Sequence, residues 1–153
     1  MSLIRNEANY MKNKIQTICT VALLLGAVAV MAINFSAGFM GGPPTAANIT
    51  ATVFYLIFWV LMLRFKPAAK ASAFLGIYTM VGCIIGFCSV MGNWSGGIVT
   101  VLLVPIIFPP DALFYGLRII GSYPVFYMLS ALISFTIMIF SLITLANGQS
   151  NGK

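Results

Sequence analysis

Apolar positions along this chain come in long unbroken runs and do not alternate with polar ones. Four runs, at about residues 15–37, 46–63, 71–92 and 125–146, contain no charged side chain. A hydrocarbon core takes roughly 17–25 residues of helix to cross, so each run is predicted to be a transmembrane helix. Barrel strands are excluded because they alternate apolar and polar residues. Lipid also leaves the backbone few ways other than a helix to satisfy its own hydrogen bonds. The predicted fold is an all-α integral membrane protein: four transmembrane helices in a single domain, residues 1–153.

A fifth stretch, about residues 97–121, lies between the third and fourth runs. Its continuously apolar part, residues 98–108, is too short to cross as a helix. Pro105, Pro109 and Pro110 each remove a backbone donor and disfavour helix. The expectation is a Pro-broken segment, interfacial or re-entrant, whose helical part starts at Pro110 and stops at Gly121. Asp111 would then occupy a first helical turn, where the positive end of the dipole favours a carboxylate. Asp111, Tyr115 and Arg118 fall at i, i+4 and i+7, one helical face. They form a candidate polar cluster at the outer face, either a stripe turned to water or the lining of a cavity as in broken transporter helices. A fifth, kinked span is the competing topology. It would place Asp111 in lipid at a cost of about 2.5–3.5 kcal/mol.

Charge placement gives the orientation. Arg5, Lys12 and Lys14 precede the first run, Arg64, Lys66 and Lys70 join the second to the third, and the link "GFMGGPPT" carries no charge. The positive-inside rule puts the N-terminus and the Arg64–Lys70 turn in the cytoplasm. Four spans return the C-terminus there too. The stretch "MKNKIQTICTVALLLGAVAVMA" has the basic start and apolar middle of a secretory signal, but it is read as a membrane helix.

Small and hydroxylated residues suggest how the helices meet. Gly26 in the first run and Gly82 and Gly86 in the third are candidate helix-packing positions, since small residues allow close backbone approach. The first and third runs are expected to pack together. Ser130, Ser134, Ser141 and Thr144 fall within roughly an 80° stripe at 3.6 residues per turn. That stripe suits packing first, and a conduction path second. Phe54, Tyr55, Phe58 and Trp59 read as interface anchors and lipid-facing bulk. Asn34, Asn48 and Asn93 each begin an N-x-S/T triplet.

Composition narrows the chemistry. Hydrophobic residues make up 61% and charged residues 7% of the chain, against about a quarter charged in a soluble domain. The net charge of +6 is spread in twos and threes beside apolar runs, a topology signal, so no nucleic acid partner is expected. With no histidine, imidazole catalysis, histidine metal ligation and axial-histidine haem are excluded. Cys19, Cys83 and Cys88 are odd in number and lack CxxC spacing, so neither a disulfide framework nor a zinc site is implied. The runs carry no ionisable acid or base, and no catalytic constellation or phosphate loop occurs. No catalytic residue, metal or cofactor is expected.

The resulting functional expectation is a non-enzymatic, multi-pass subunit of the cell membrane that packs on, stabilises or regulates a larger membrane protein assembly. Its partners would be the bilayer and other membrane subunits or copies of itself. The alternative is a small oligomeric transporter or channel for a neutral or lipid-like solute, with residues 98–121 as gate.

Overall fold

The computed structural model describes residues 2–63, 68–92 and 98–150, and every element among them is helical. Five helices follow in chain order: α1 Ser2–Met40, α2 Ala46–Leu63, α3 Ala69–Met91, α4 Ile98–Phe114 and α5 Tyr123–Ser150. A 3₁₀ segment, Tyr115–Ile120, continues α4. Five stretches are long and apolar enough to cross a membrane: Asn13–Gly38, Ala46–Leu63, Ala69–Met91, Leu102–Ile120 and Tyr123–Asn147. The turn residues Arg64 and Lys66, and Asn93 and Trp94, lie outside the described residues.

The start of α2 is written into the sequence. Pro43 and Pro44 precede Thr45, whose Oγ1 accepts the Asn48 N–H at 3.4 Å while Asn48 Oδ1 accepts the Thr45 N–H at 2.8 Å. This reciprocal capping satisfies donors that the first helical turn would otherwise leave free.

The most extensive helix pair is α3 with α5. Thr79 Oγ1 donates to Ser134 Oγ at 2.9 Å, and Ser141 Oγ donates to Ser72 Oγ at 2.9 Å. A Cβ added at Gly86 would lie 2.5 Å from the Tyr127 ring. These contacts step by seven residues in opposite directions, from Ser72 through Thr79 to Gly86 and from Ser141 through Ser134 to Tyr127, so the two helices are antiparallel. Seven residues is close to two helical turns, which keeps every step on one face.

Antiparallel packing has a topological consequence. The start of α5 lies beside the end of α3, so the chain between them returns to the end of the bundle it left. The α1–α2 connection lies at that end too, because Arg118 Nη1 donates to the carbonyls of Gly41 at 3.0 Å and Gly42 at 2.9 Å. The guanidinium also stacks 3.8 Å above the Tyr123 ring. Further in, Tyr78 near the middle of α3 donates its hydroxyl to Pro105 of α4 at 2.9 Å.

The prolines do not break α4, contrary to the sequence expectation. Helix starts at Ile98 and passes through Pro105, Pro109 and Pro110. A proline leaves the carbonyl four residues earlier without its helical donor. Pro109 thereby frees the Pro105 carbonyl, and the Tyr78 hydroxyl takes it. Pro110 frees the Ile106 carbonyl, and Gly82 gives it room. A Cβ at Gly82 would lie 2.5 Å from Ile106 O and 2.4 Å from Pro110 Cγ. Asp111 accordingly lies in the last turn of α4, where the dipole disfavours a carboxylate.

Two further expectations are corrected. The small faces of α1 and α3 meet different partners: Gly26 packs on Tyr55 and Phe58 of α2, and Gly82 and Gly86 pack on α4 and α5. The α2 aromatics divide by face. Phe54 is exposed, whereas Tyr55 and Trp59 are buried. Trp59 Nε1 donates to Ser72 Oγ at 2.7 Å, and Tyr55 Oη donates to Leu23 O at 3.3 Å. An indole or phenol buried among helices needs such a partner.

Candidate functional site

The joint of α1, α2 and α4 is built from three side chains that the sequence reading did not group. Asn34, Asn48 and Thr52 are all buried. Asn48 Nδ2 donates to Asn34 Oδ1 at 2.9 Å. Asn34 Nδ2 then donates to Thr52 Oγ1 at 3.1 Å and to the Ala112 carbonyl at 2.7 Å. Thr52 Oγ1 also accepts the Gly116 N–H at 3.1 Å and lies 3.4 Å from Leu113 O.

These bonds fall where α4 tightens into 3₁₀ geometry and its backbone groups change partners. A carbonyl or N–H left unpaired in an apolar interior costs free energy, and two neighbouring helices supply what α4 cannot. Gly116 completes the joint. A Cβ there would lie 2.5 Å from Asn48 O and 2.7 Å from Ile49 Cα, so the 3₁₀ backbone rests directly on α2. Asn34 and Asn48 are therefore structural amides that tie the helices together.

The expected polar cluster divides in two. Arg118 Nη1 donates to Tyr115 Oη at 2.8 Å, and Tyr115 Oη in turn donates to the Gly42 carbonyl. Tyr115 is fully buried and ties α4 to the α1–α2 connection. Asp111 does not join this pair. Its side chain is 9% exposed and its Oδ1 has no hydrogen-bond partner. Of the two arrangements expected from the sequence, a stripe turned to water or the lining of a cavity, Asp111 takes the second.

Asp111 instead lines a cavity of about 280 Å³ with Gly38, Ser89, Leu103, Val104, Ile107 and Phe108. Phe108 packs edge-on against Phe35, their centroids 5.3 Å apart. Among the described residues the walls come from α1, α3 and α4, and their side chains are apolar except for Asp111 and Ser89.

Of the hydroxyl stripe, Ser130, Ser134 and Ser141 are buried. Ser134 and Ser141 bond to α3, and Ser130 Oγ has no partner. Thr144 stands apart. Its hydroxyl donates to Phe140 O at 2.9 Å, and it lines a groove with Val60 and Leu63 of α2. The cysteines are free: Cys83 is buried and Cys88 exposed. Among the described residues no group of histidine, cysteine or acidic side chains is placed to hold a metal.

The class this defines is an all-helical, membrane-embedded bundle in which the segment between two antiparallel helices returns to its own end. Comparisons with protein-family models, with curated proteins and with solved structures found no match.

Proposed function

We propose that this protein is a non-catalytic membrane subunit, a rigid helical scaffold that packs on and stabilises a larger membrane protein assembly. One observation carries the reading: among the described residues, the buried polar side chains other than Asp111 and Ser130 are spent on bonds between helices. Asn34, Asn48, Thr52, Ser72, Thr79 and Ser141 each bond to another helix. That supports a bundle whose helices hold fixed positions relative to one another. Large apolar side chains such as Phe54, Phe74, Phe135 and Phe140 point outward, suited to lipid and to neighbouring helices alike. The experiment is to extract the tagged protein in mild detergent and weigh it by native mass spectrometry. Other polypeptides at fixed stoichiometry are the expected result. A single homogeneous species containing this chain alone would overturn the reading.

The topology that goes with it has four crossings, α1, α2, α3 and α5, with α4 re-entrant and both termini in the cytoplasm. The seven-residue antiparallel ladder between α3 and α5 supports it, because a fifth crossing would make those helices parallel. Single cysteines at Lys14, Met40, Ser122 and Asn147 in a cysteine-free background test it with an impermeant maleimide on intact cells. Met40 and Ser122 positions should label and Lys14 and Asn147 positions should not. Labelling at Met40 but not Ser122 would mean five crossings.

A further inference from the structure

We infer that the cavity between α1, α3 and α4 is a binding site for a small amphiphile that carries a primary ammonium head on an apolar body, with Asp111 as its acceptor. The inference goes beyond the scaffold reading and does not depend on it.

Asp111 is 9% exposed, lines the cavity, and has an Oδ1 with no partner inside the protein. A buried carboxylate is costly to retain unless something pairs with it, and an ionisable group at membrane depth points to a functional site. Two nearby polar side chains, Arg118 and Tyr115, bond elsewhere. Arg118 Nη1 already has three acceptors, at Gly41, Gly42 and Tyr115. Tyr115 donates to Gly42.

When ionised, the carboxylate is acceptor-only, and a cationic donor then meets both its lone pairs and its charge. Anionic heads are excluded by repulsion. A quaternary ammonium has no N–H to give the carboxylate. Ser89 on the facing helix is a second polar group for the head. The remaining lining, Leu103, Val104, Ile107 and Phe108, is fit for an alkyl body. Gly38 leaves the floor low, where an added Cβ would make only ordinary contacts, 3.6 Å from Tyr115 Cδ2. At about 280 Å³ the cavity falls at the small end of ligand sites, which run roughly 300–1,000 Å³.

A primary ammonium on an apolar body could come from a free alkylamine or from the headgroup of phosphatidylethanolamine. The test uses n-octylammonium, with n-octanol and octanoate as comparators, titrated against the purified protein in detergent at neutral pH. Wild type should bind octylammonium at least about ten-fold more tightly than octanol, the scale of one charge-assisted hydrogen bond. Octanoate should bind more weakly still. Asp111→Asn should lose the preference for octylammonium while keeping its octanol affinity. Titration in phosphatidylcholine nanodiscs with and without phosphatidylethanolamine then separates the sources. Competition by phosphatidylethanolamine assigns the site to the lipid headgroup, and unchanged affinity assigns it to the free amine. Equal affinity of wild type for octylammonium and octanol would overturn the proposal. So would an Asp111→Asn variant that loses both ligands together, since the side chain would then be shaping the cavity and not recognising a head.

Discussion

Gly116→Ala should destabilise the protein by about 1–3 kcal/mol or more, the range for overpacking a tight interior, and Gly116→Val should prevent the α4 segment from docking at all. A first side-chain carbon at this position meets Asn48 O at 2.5 Å, Ile49 Cα at 2.7 Å and Thr52 Oγ1 at 2.8 Å. Two of those atoms are backbone of α2, and the third is held by Asn34 and by Gly116's own N–H. None is the free end of a flexible side chain, so relief requires the 3₁₀ segment to lift off α2. Lifting it would separate Thr52 from Gly116 and Asn34 from Ala112, and those buried groups would lose their partners together. Gly42→Ala is the matched control, because a Cβ there has no atom within 4 Å. Thermal unfolding in detergent, followed by circular dichroism, checks both. Equal midpoints for the two alanine variants would refute the direct backbone contact.

The helices that could cross were legible because lipid selects for one feature, an uninterrupted apolar run, which a sequence displays directly. The second run even coincides with α2, Ala46–Leu63. The course of α4 was not legible in the same way. Prolines at 105, 109 and 110 read locally as breaks, and locally that reading is sound. What keeps the helix intact is Tyr78 and Gly82, which belong to another helix and lie more than 20 residues away. The sequence showed Gly82 as a small residue, but nothing in its neighbourhood said that its partner would be a proline-freed carbonyl.

The same limit explains the candidate site. The stripe of Ser130, Ser134 and Ser141 was visible as a helical face, and its counterpart Ser72, Thr79 and Gly86 on α3 has the seven-residue spacing that could have paired with it. Asn34 and Asn48 were visible only as starts of N-x-S/T triplets. The Ala112 carbonyl that Asn34 serves is 78 positions along the chain, and no local pattern links the two. One signal was present for Asn48: the T-A-A-N stretch after two prolines is a capping arrangement with asparagine at the third helical position. The placement of Asp111 at a helix start followed from the assumed break and failed with it.

Asn34 offers the second large effect, and there the kind of replacement matters more than its size. Asn34→Leu removes three interhelical bonds: those to Thr52, to Ala112 and from Asn48. Bonds of this kind within membranes are worth about 0.6 kcal/mol on average and up to about 1.7. The leucine variant should therefore lose roughly 2 kcal/mol if each bond carries the average. Asn34→Asp keeps the shape and can still accept from Asn48, but it has no amide to donate to Ala112 O, 2.7 Å away. Its charge would stand buried against a carbonyl dipole, at a cost above that of an apolar residue. The order of unfolding midpoints should be wild type, then leucine, then aspartate, although aspartate is the closer chemical relative of asparagine. If the aspartate variant is instead the more stable of the two, Asn34 acts in the bundle by volume alone, and the amide network does not hold α4 in place.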